Sequence, residues 1–192
     1  WSSRGSHATA NYDAKLALLG QLARAWKDSV IHVFDREYGN NVWTTILLEH
    51  GCRFIVRWNK GYKLLDWNGE EKKAGKMMTG QRSWEYKMVS GRGGRRLKIG
   101  VTARCVNLVN EAQPLWLIAA RVQGKESWYL LTSEIVPNAE KAWEIVFAYG
   151  KRWEIEEFWR YSKSELGIQS PRVWTWERRE KLLLIVSLAY AF

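Results

Sequence analysis

The sequence predicts a mixed α/β fold, and three observations predict it. Two short β-branched runs, residues 29–34 (SVIHVF) and 53–58 (RFIVRW), flank a helical stretch over 41–50. Strand, helix and strand in that order form the parallel α/β unit. Residues 59–134 are rich in Gly, Lys and Arg and carry further strand-like runs, whereas the pattern from 137 onward is helical.

Each element has its own warrant. Residues 11–26 read as a helix because Leu16, Leu18, Leu19 and Leu22 build an apolar stripe. The run 29–34 is short, apolar and β-branched, as a buried strand is, and it delivers Asp35 at its C-terminal end. The helix over 41–50 is closed by Gly51. Residues 97–108, 115–122 and 128–132 read as strands. Gly91-Arg92-Gly93-Gly94 reads as a hairpin turn, not a phosphate-binding loop, because no strand-to-helix context follows it. Pro137-Asn138 opens one long helix, with Asn138 as N-cap, Glu140 in the first turn and Gly167 as the stop. The expected division is residues 1–58, a β-rich insertion over 59–134, and helices over 135–192.

Composition narrows the function. The chain has 192 residues, 46% hydrophobic, enough for one core or one domain carrying an insertion. Cys52 and Cys105 make no disulfide framework, and no apolar signal opens the chain, so the expected compartment is the reducing cytoplasm. The longest apolar run, 182–192, is shorter than the roughly 20 residues a membrane span needs. His7, His32 and His50 show no ligand spacing, and the cysteines form no CxxC, so no zinc site is expected. Residues 51–104 hold 14 Lys or Arg against 4 Asp or Glu, which accounts for the whole net charge of +10. A basic region so concentrated suggests a polyanion, most simply nucleic acid; a solvated basic surface is the alternative. The chain begins at Trp1 without Met and ends inside an apolar run, so a piece of a longer protein is expected.

Within the long helix, Tyr149, Arg152, Glu156 and Lys163 fall in an arc of about 60°, with Arg160 just beside it. Ala148, Ile155, Trp159 and Leu166 occupy the neighbouring arc and are expected to face the core. A polar stripe at that margin suits a groove; an exposed Arg-Glu ladder is the alternative.

The pattern Tyr149-x2-Arg152-x3-Glu156-x6-Lys163 resembles the signature of DDE-type bacterial transposases of the insertion-sequence-four family. Arg152-Trp153-x-Ile155-Glu156-Glu157-Phe158 is similar to the family's usual filling of that motif. Asp35-Arg36-Glu37 resembles the segment that carries the second catalytic Asp, and Phe54-Ile55-Val56-Arg57 the strand after it. Ser127-Trp128-Tyr129-Leu130-Leu131-Thr132 resembles the strand before the last catalytic helix. The resemblance covers nearly the whole chain. It implies an RNase H-like core interrupted by the β-rich insertion, in which carboxylates bind two divalent ions, Mg²⁺ or Mn²⁺, about 4 Å apart.

By the same resemblance Asp35 and Glu156 are catalytic and ligate metal. Arg152, Lys163, Arg160, Arg57 and Lys60 hold DNA phosphates. Tyr149 bonds a phosphate or packs on a sugar, and Trp128 stacks on a flipped base. The alternatives are ordinary ones: Asp35 caps the following turn, Glu156 pairs with Arg152 or Arg160, and Trp128 is a core residue. The family's first Asp belongs on a strand well before Asp35. Neither Asp13, on a helix, nor Asp28, in a turn, suits it, so that strand is expected to lie upstream and the chain alone to be nearly inactive. The implied reaction is nicking of double-stranded transposon ends, hairpin formation and joining to target DNA by a homodimer in the bacterial cytoplasm. A DNA-binding remnant without chemistry is the alternative.

Overall fold

The computed structural model of the chain describes residues 8–26, 28–90, 96–164 and 175–191. The chain falls into two compact units, Trp1–Tyr149 and Gly150–Phe192. In the first, α1 (Ala8–Trp26) precedes β1 (Ile31–Phe34), α2 (Asn41–Glu49) and β2 (Arg53–Arg57). A small ribbon, β3 (Lys63–Leu65) and β4 (Glu71–Lys73), leads into the short helix α3 (Ala74–Met78). Four strands follow: β5 (Glu85–Ser90), β6 (Arg96–Val106), β7 (Leu115–Val122) and β8 (Trp128–Thr132). Helix α4 (Ala139–Gly150) completes the unit.

One six-stranded sheet organises the unit, in the order β1-β2-β8-β7-β6-β5. The expected strand-helix-strand unit is present: β1 and β2 pair in parallel, with Phe34 opposite Val56, and α2 connects them. Every other neighbouring pair is antiparallel. Strands β5 to β8 do not stand apart from β1 and β2. They prolong the same sheet, because β8 pairs with β2 through Ile55–Thr132, Val56–Leu131 and Arg57–Leu130. The first strand is shorter than expected, since Ser29 donates its N–H to Trp26 in the turn before it. The expected turn at 91–94 and stop at Gly167 lie outside the described residues.

Side-chain alternation gives each sheet face its own core. On one face Phe54, Val56, Leu117, Ala119 and Leu131 meet Leu19 and Ala23 of α1, Trp43 and Leu47 of α2, and Met77 and Met78 of α3. On the other, Ile55, Ile118, Ala120 and Leu130 pack with Trp143, Val146 and Tyr149 of α4. β2 is buried on both faces, which is why it reads as a continuous apolar run. Asn40 caps α2 by accepting from Trp43 N–H, and Asn138 caps α4 by accepting from Lys141 N–H, as its sequence position implies.

Arg53 closes the start of β2 with a two-pronged bond to Glu134: Nε to Oε1 at 2.8 Å and Nη2 to Oε2 at 2.7 Å. Hydrogen bonding from Arg53 holds the Glu134 carboxyl below the usual range, against the opposing effect of burial. A depressed folded pKa contributes stability above the unfolded value, and that contribution is lost as pH falls through the folded value. Arg53→Ala should therefore lower stability by about 2 kcal/mol at neutral pH. In urea titrations the gap from wild type should close under acid conditions that protonate Glu134.

The expected single long helix is instead two. α4 ends at Gly150, and α5 (Arg152–Ser164) begins after Lys151. Gly150, costing about 1 kcal/mol against Ala inside a helix, is the weak point of the stretch. The expected facing holds for Ala148, which packs against the core, but not for the residues described beyond the break. Ile155 is 56% and Trp159 41% exposed, so neither is a core residue. Leu166 lies outside the described residues. A last helix, α6, spans Trp176–Ala191. Among the described residues no helix is long and apolar enough to cross a membrane.

Candidate active site

Asp35 directly follows the last residue of β1. Alternation places it on the same side as Ile31 and Val33, which pack into the core under α4. The residue is exposed, at φ −71° and ψ 172°, and caps the short 3₁₀ turn Arg36–Tyr38 by accepting from Arg36 N–H. The capping role weighed from sequence is therefore real. The turn is seated on β2: a Cβ at Gly39 would lie 2.2 Å from the Arg57 carbonyl oxygen.

Three residues expected to serve DNA form one continuous contact. The Arg57 guanidinium lies 5.7 Å from the Trp128 ring centroid. The Trp128 and Tyr149 rings meet edge to face, with centroids 5.8 Å apart. Strand pairing accounts for the first contact, because Arg57 lies opposite Leu130, two residues along from Trp128. Trp128 is half-buried, neither a sealed core residue nor a free ring. Tyr149, expected to reach DNA itself, is only 1% exposed and braces Trp128 from behind.

Lys60 pairs with Glu126 at 3.2 Å, both more than half exposed. The Lys60 hydrogen bond and charge hold the Glu126 carboxyl below the usual range, with the Arg36 and Arg57 charges adding to the effect. Sequence reasoning missed both Arg36 and Glu126 as members of this group. The available signal was their position, one beside Asp35 and one two residues before Trp128.

In the second unit α5 carries its own polar row. Arg152 pairs with Glu156 at 2.9 Å, and Arg160 approaches Glu157 at 3.5 Å. The Arg152 guanidinium also lies 5.4 Å from the Trp153 ring centroid. Glu156, Trp159, Arg160, Lys163 and Ser164 line an open concavity of about 570 Å³. The ion-pair alternative for Glu156 is thus observed. Tyr149 belongs to α4, whereas Arg152, Glu156 and Lys163 belong to α5.

Carboxylate oxygens are hard donors suited to Mg²⁺ or Mn²⁺. Asp35 and Glu156 each offer a donor of that type. Among the described residues, no group of three or more His, Cys, Asp and Glu gathers to hold an ion.

The mixed sheet, with an acid-tipped parallel strand beside an Arg-Trp-Tyr contact, defines the class. It is an α/β domain consistent with the RNase H-like domains of DDE transposases. The family model described as a transposase DDE domain matches residues 5–192, and the chain belongs to that family. Its members are polynucleotidyl transferases that bind DNA and act in transposition by metal-dependent cleavage, generally with divalent ions. No curated protein matches the chain.

Proposed function

We propose that the chain serves DNA strand cleavage and transfer as the insertion-sequence-four group does, with Asp35 and Glu156 as two of its acidic ligands. The observation that supports this best is the exposed Asp35 at the C-terminal end of β1, on a turn seated against β2 at Arg57. A bound Mg²⁺ or Mn²⁺ would stabilise charge on the attacking and leaving oxygens. Arg57 and Lys60 hold phosphates, Lys60 exchanging Glu126 for DNA. Arg152, Arg160 and Lys163 add phosphate contacts from α5, where Arg forks and Lys acts as a point charge. Trp128, braced by Tyr149, offers its ring to a flipped base during hairpin formation. A homodimer brings two transposon ends together in the bacterial cytoplasm, at the nucleoid. Two carboxylates hold an ion weakly, so the chain alone has little strand-transfer activity. The β-rich segment 59–134 is an insertion in sequence between β2 and α4, and its strands extend the sheet of β1 and β2 through β8.

Duplex binding tests the DNA reading directly. Binding to a labelled duplex should weaken steeply as salt rises, and Arg57→Ala with Lys60→Ala should reduce the slope by about 2. Salt-independent binding, or an unchanged slope, would contradict it. A second prediction concerns Trp128→Ala in the full-length enzyme: hairpin formation should fall about 5- to 150-fold while nicking persists. Equal loss of both steps with unfolding would return Trp128 to a packing role. The Arg152–Glu156 ion pair at 2.9 Å favours one other reading, a DNA-binding protein without chemistry. Mn²⁺ titration separates the two.

A further inference from the structure

The far edge of the sheet carries a surface that the catalytic reading does not use. In β5, alternation sends Glu85, Lys87 and Val89 to one side and Tyr86, Met88 and Ser90 to the other. The second side is exposed: Tyr86 and Met88 are each 55% accessible. Trp84, just before the strand, is 45% accessible and donates its backbone N–H to the Val101 carbonyl. β6 sets its cations in the same rows, with Lys98 opposite Met88 and Arg96 opposite Ser90. The Lys98 ammonium lies 4.9 Å from the Tyr86 ring centroid. Tyr86 lies over Gly100, where an added Cβ would come within 2.6 Å of its ring. The ring is thus supported by Gly100, flanked by the Lys98 ammonium and still 55% exposed.

Charge on this side has one sign. Glu85 is sent to the opposite side, where Lys87 lies 3.8 Å away. Neither Arg96 nor Lys98 forms an ion pair among the described residues. Two exposed rings and a thioether beside cations that form no ion pair among the described residues suit a chain that offers both phosphates and free base faces. A duplex satisfies the cations but keeps its bases stacked internally, leaving the rings unused. An unpaired strand satisfies both, because every base has a π face and the cations meet its backbone.

We propose that the outer face of the β5–β6 strand pair binds an unpaired DNA strand. Bases stack on Trp84 and Tyr86, and Arg96 and Lys98 neutralise phosphates. The inference rests on the DNA-strand chemistry proposed above, but it concerns a different surface.

The test is fluorescence anisotropy of a labelled oligothymidylate and, separately, a labelled duplex, with the whole chain. Tyr86→Ala and Trp84→Ala should each weaken oligothymidylate binding at least about 5-fold, and duplex binding by less than about 2-fold. Tyr86→Phe, which keeps the ring, should bind like wild type. Arg96→Glu with Lys98→Glu should lower the single-strand salt slope by about 1.4. These side chains are exposed, and unchanged urea unfolding confirms that each variant folds. Aromatic variants that bind the oligomer as wild type does would overturn the proposal, as would equal weakening toward both DNA forms. A change in self-association with DNA affinity intact would instead mark an interface between copies, and also overturns it. If Arg57→Ala with Lys60→Ala weakens duplex binding while the β5–β6 variants stay neutral, the catalytic reading stands and this one falls. If the wild-type chain binds no DNA at all, both fall.

Discussion

Asp35→Asn should lower the Mn²⁺ affinity of the chain by about 10-fold or more while leaving its stability within about 0.5 kcal/mol of wild type. The substitution separates two roles that coincide in one side chain. Asp35 caps the 3₁₀ turn through an oxygen that accepts from Arg36 N–H. Asn retains such an oxygen and is an equally good cap, so the turn persists. What Asn lacks is the negative charge that a hard divalent ion requires. Glu156→Gln is the companion change, and its interpretation must allow for Arg152, which loses its carboxylate partner at 2.9 Å. If both acids serve one ion, the double variant should be little worse than either single variant, as in a double-mutant cycle of coupled groups. Strictly additive losses would mean two independent weak sites. No loss from either variant, by electron paramagnetic resonance of free Mn²⁺, would remove the metal-dependent reading and leave DNA binding alone.

Local pattern carried a large part of this fold. β7 and β8 run over the residues expected of them, because each is a short, mostly apolar run and turn residues such as Asn110 and Gly124 bound them. Asp35 was legible because an acid that directly follows a short apolar β-branched run falls at the strand's end; the run itself is half-buried rather than buried. Sheet order was not legible. The pairing of β2 with β8 joins segments far apart in the chain, and periodicity says which face a residue takes but not which strand lies beside it. The Arg57–Trp128–Tyr149 contact shares that limit, since it joins β2, β8 and α4. Each residue could be named from sequence, but the brace of Tyr149 behind Trp128 could not. The break at Lys151 escaped because Arg, Trp and Glu on its far side are compatible with helix. Glu126 escaped because a loop acid looks solvated until Lys60 is placed beside it.

Gly39→Ala should damage the Asp35 site out of proportion to its effect on stability. Gly39 has φ −81°, which any residue can adopt, so its requirement is space. An added Cβ would lie 2.2 Å from the Arg57 carbonyl oxygen, 3.1 Å from its carbon and 3.3 Å from the Arg36 oxygen. These are backbone atoms, and Arg57 is fixed in β2 between β1 and β8, so the strand cannot yield as a flexible side chain would. The turn Arg36–Tyr38 must lift instead, and Asp35, which caps it, moves too. Overpacking of this kind costs about 1–3 kcal/mol, or roughly 2–12 °C in Tm for a chain of this size. Gly51→Ala provides the matched control. Gly51 has φ +63° with no atom within 4 Å of an added Cβ, so its penalty is backbone strain at the end of α2, of order 1 kcal/mol. Both variants should melt lower, yet only Gly39→Ala should reduce Mn²⁺ affinity toward that of Asp35→Asn. Equal loss of Mn²⁺ affinity in the two variants would show that general destabilisation, rather than displacement of the Asp35 turn, controls the site.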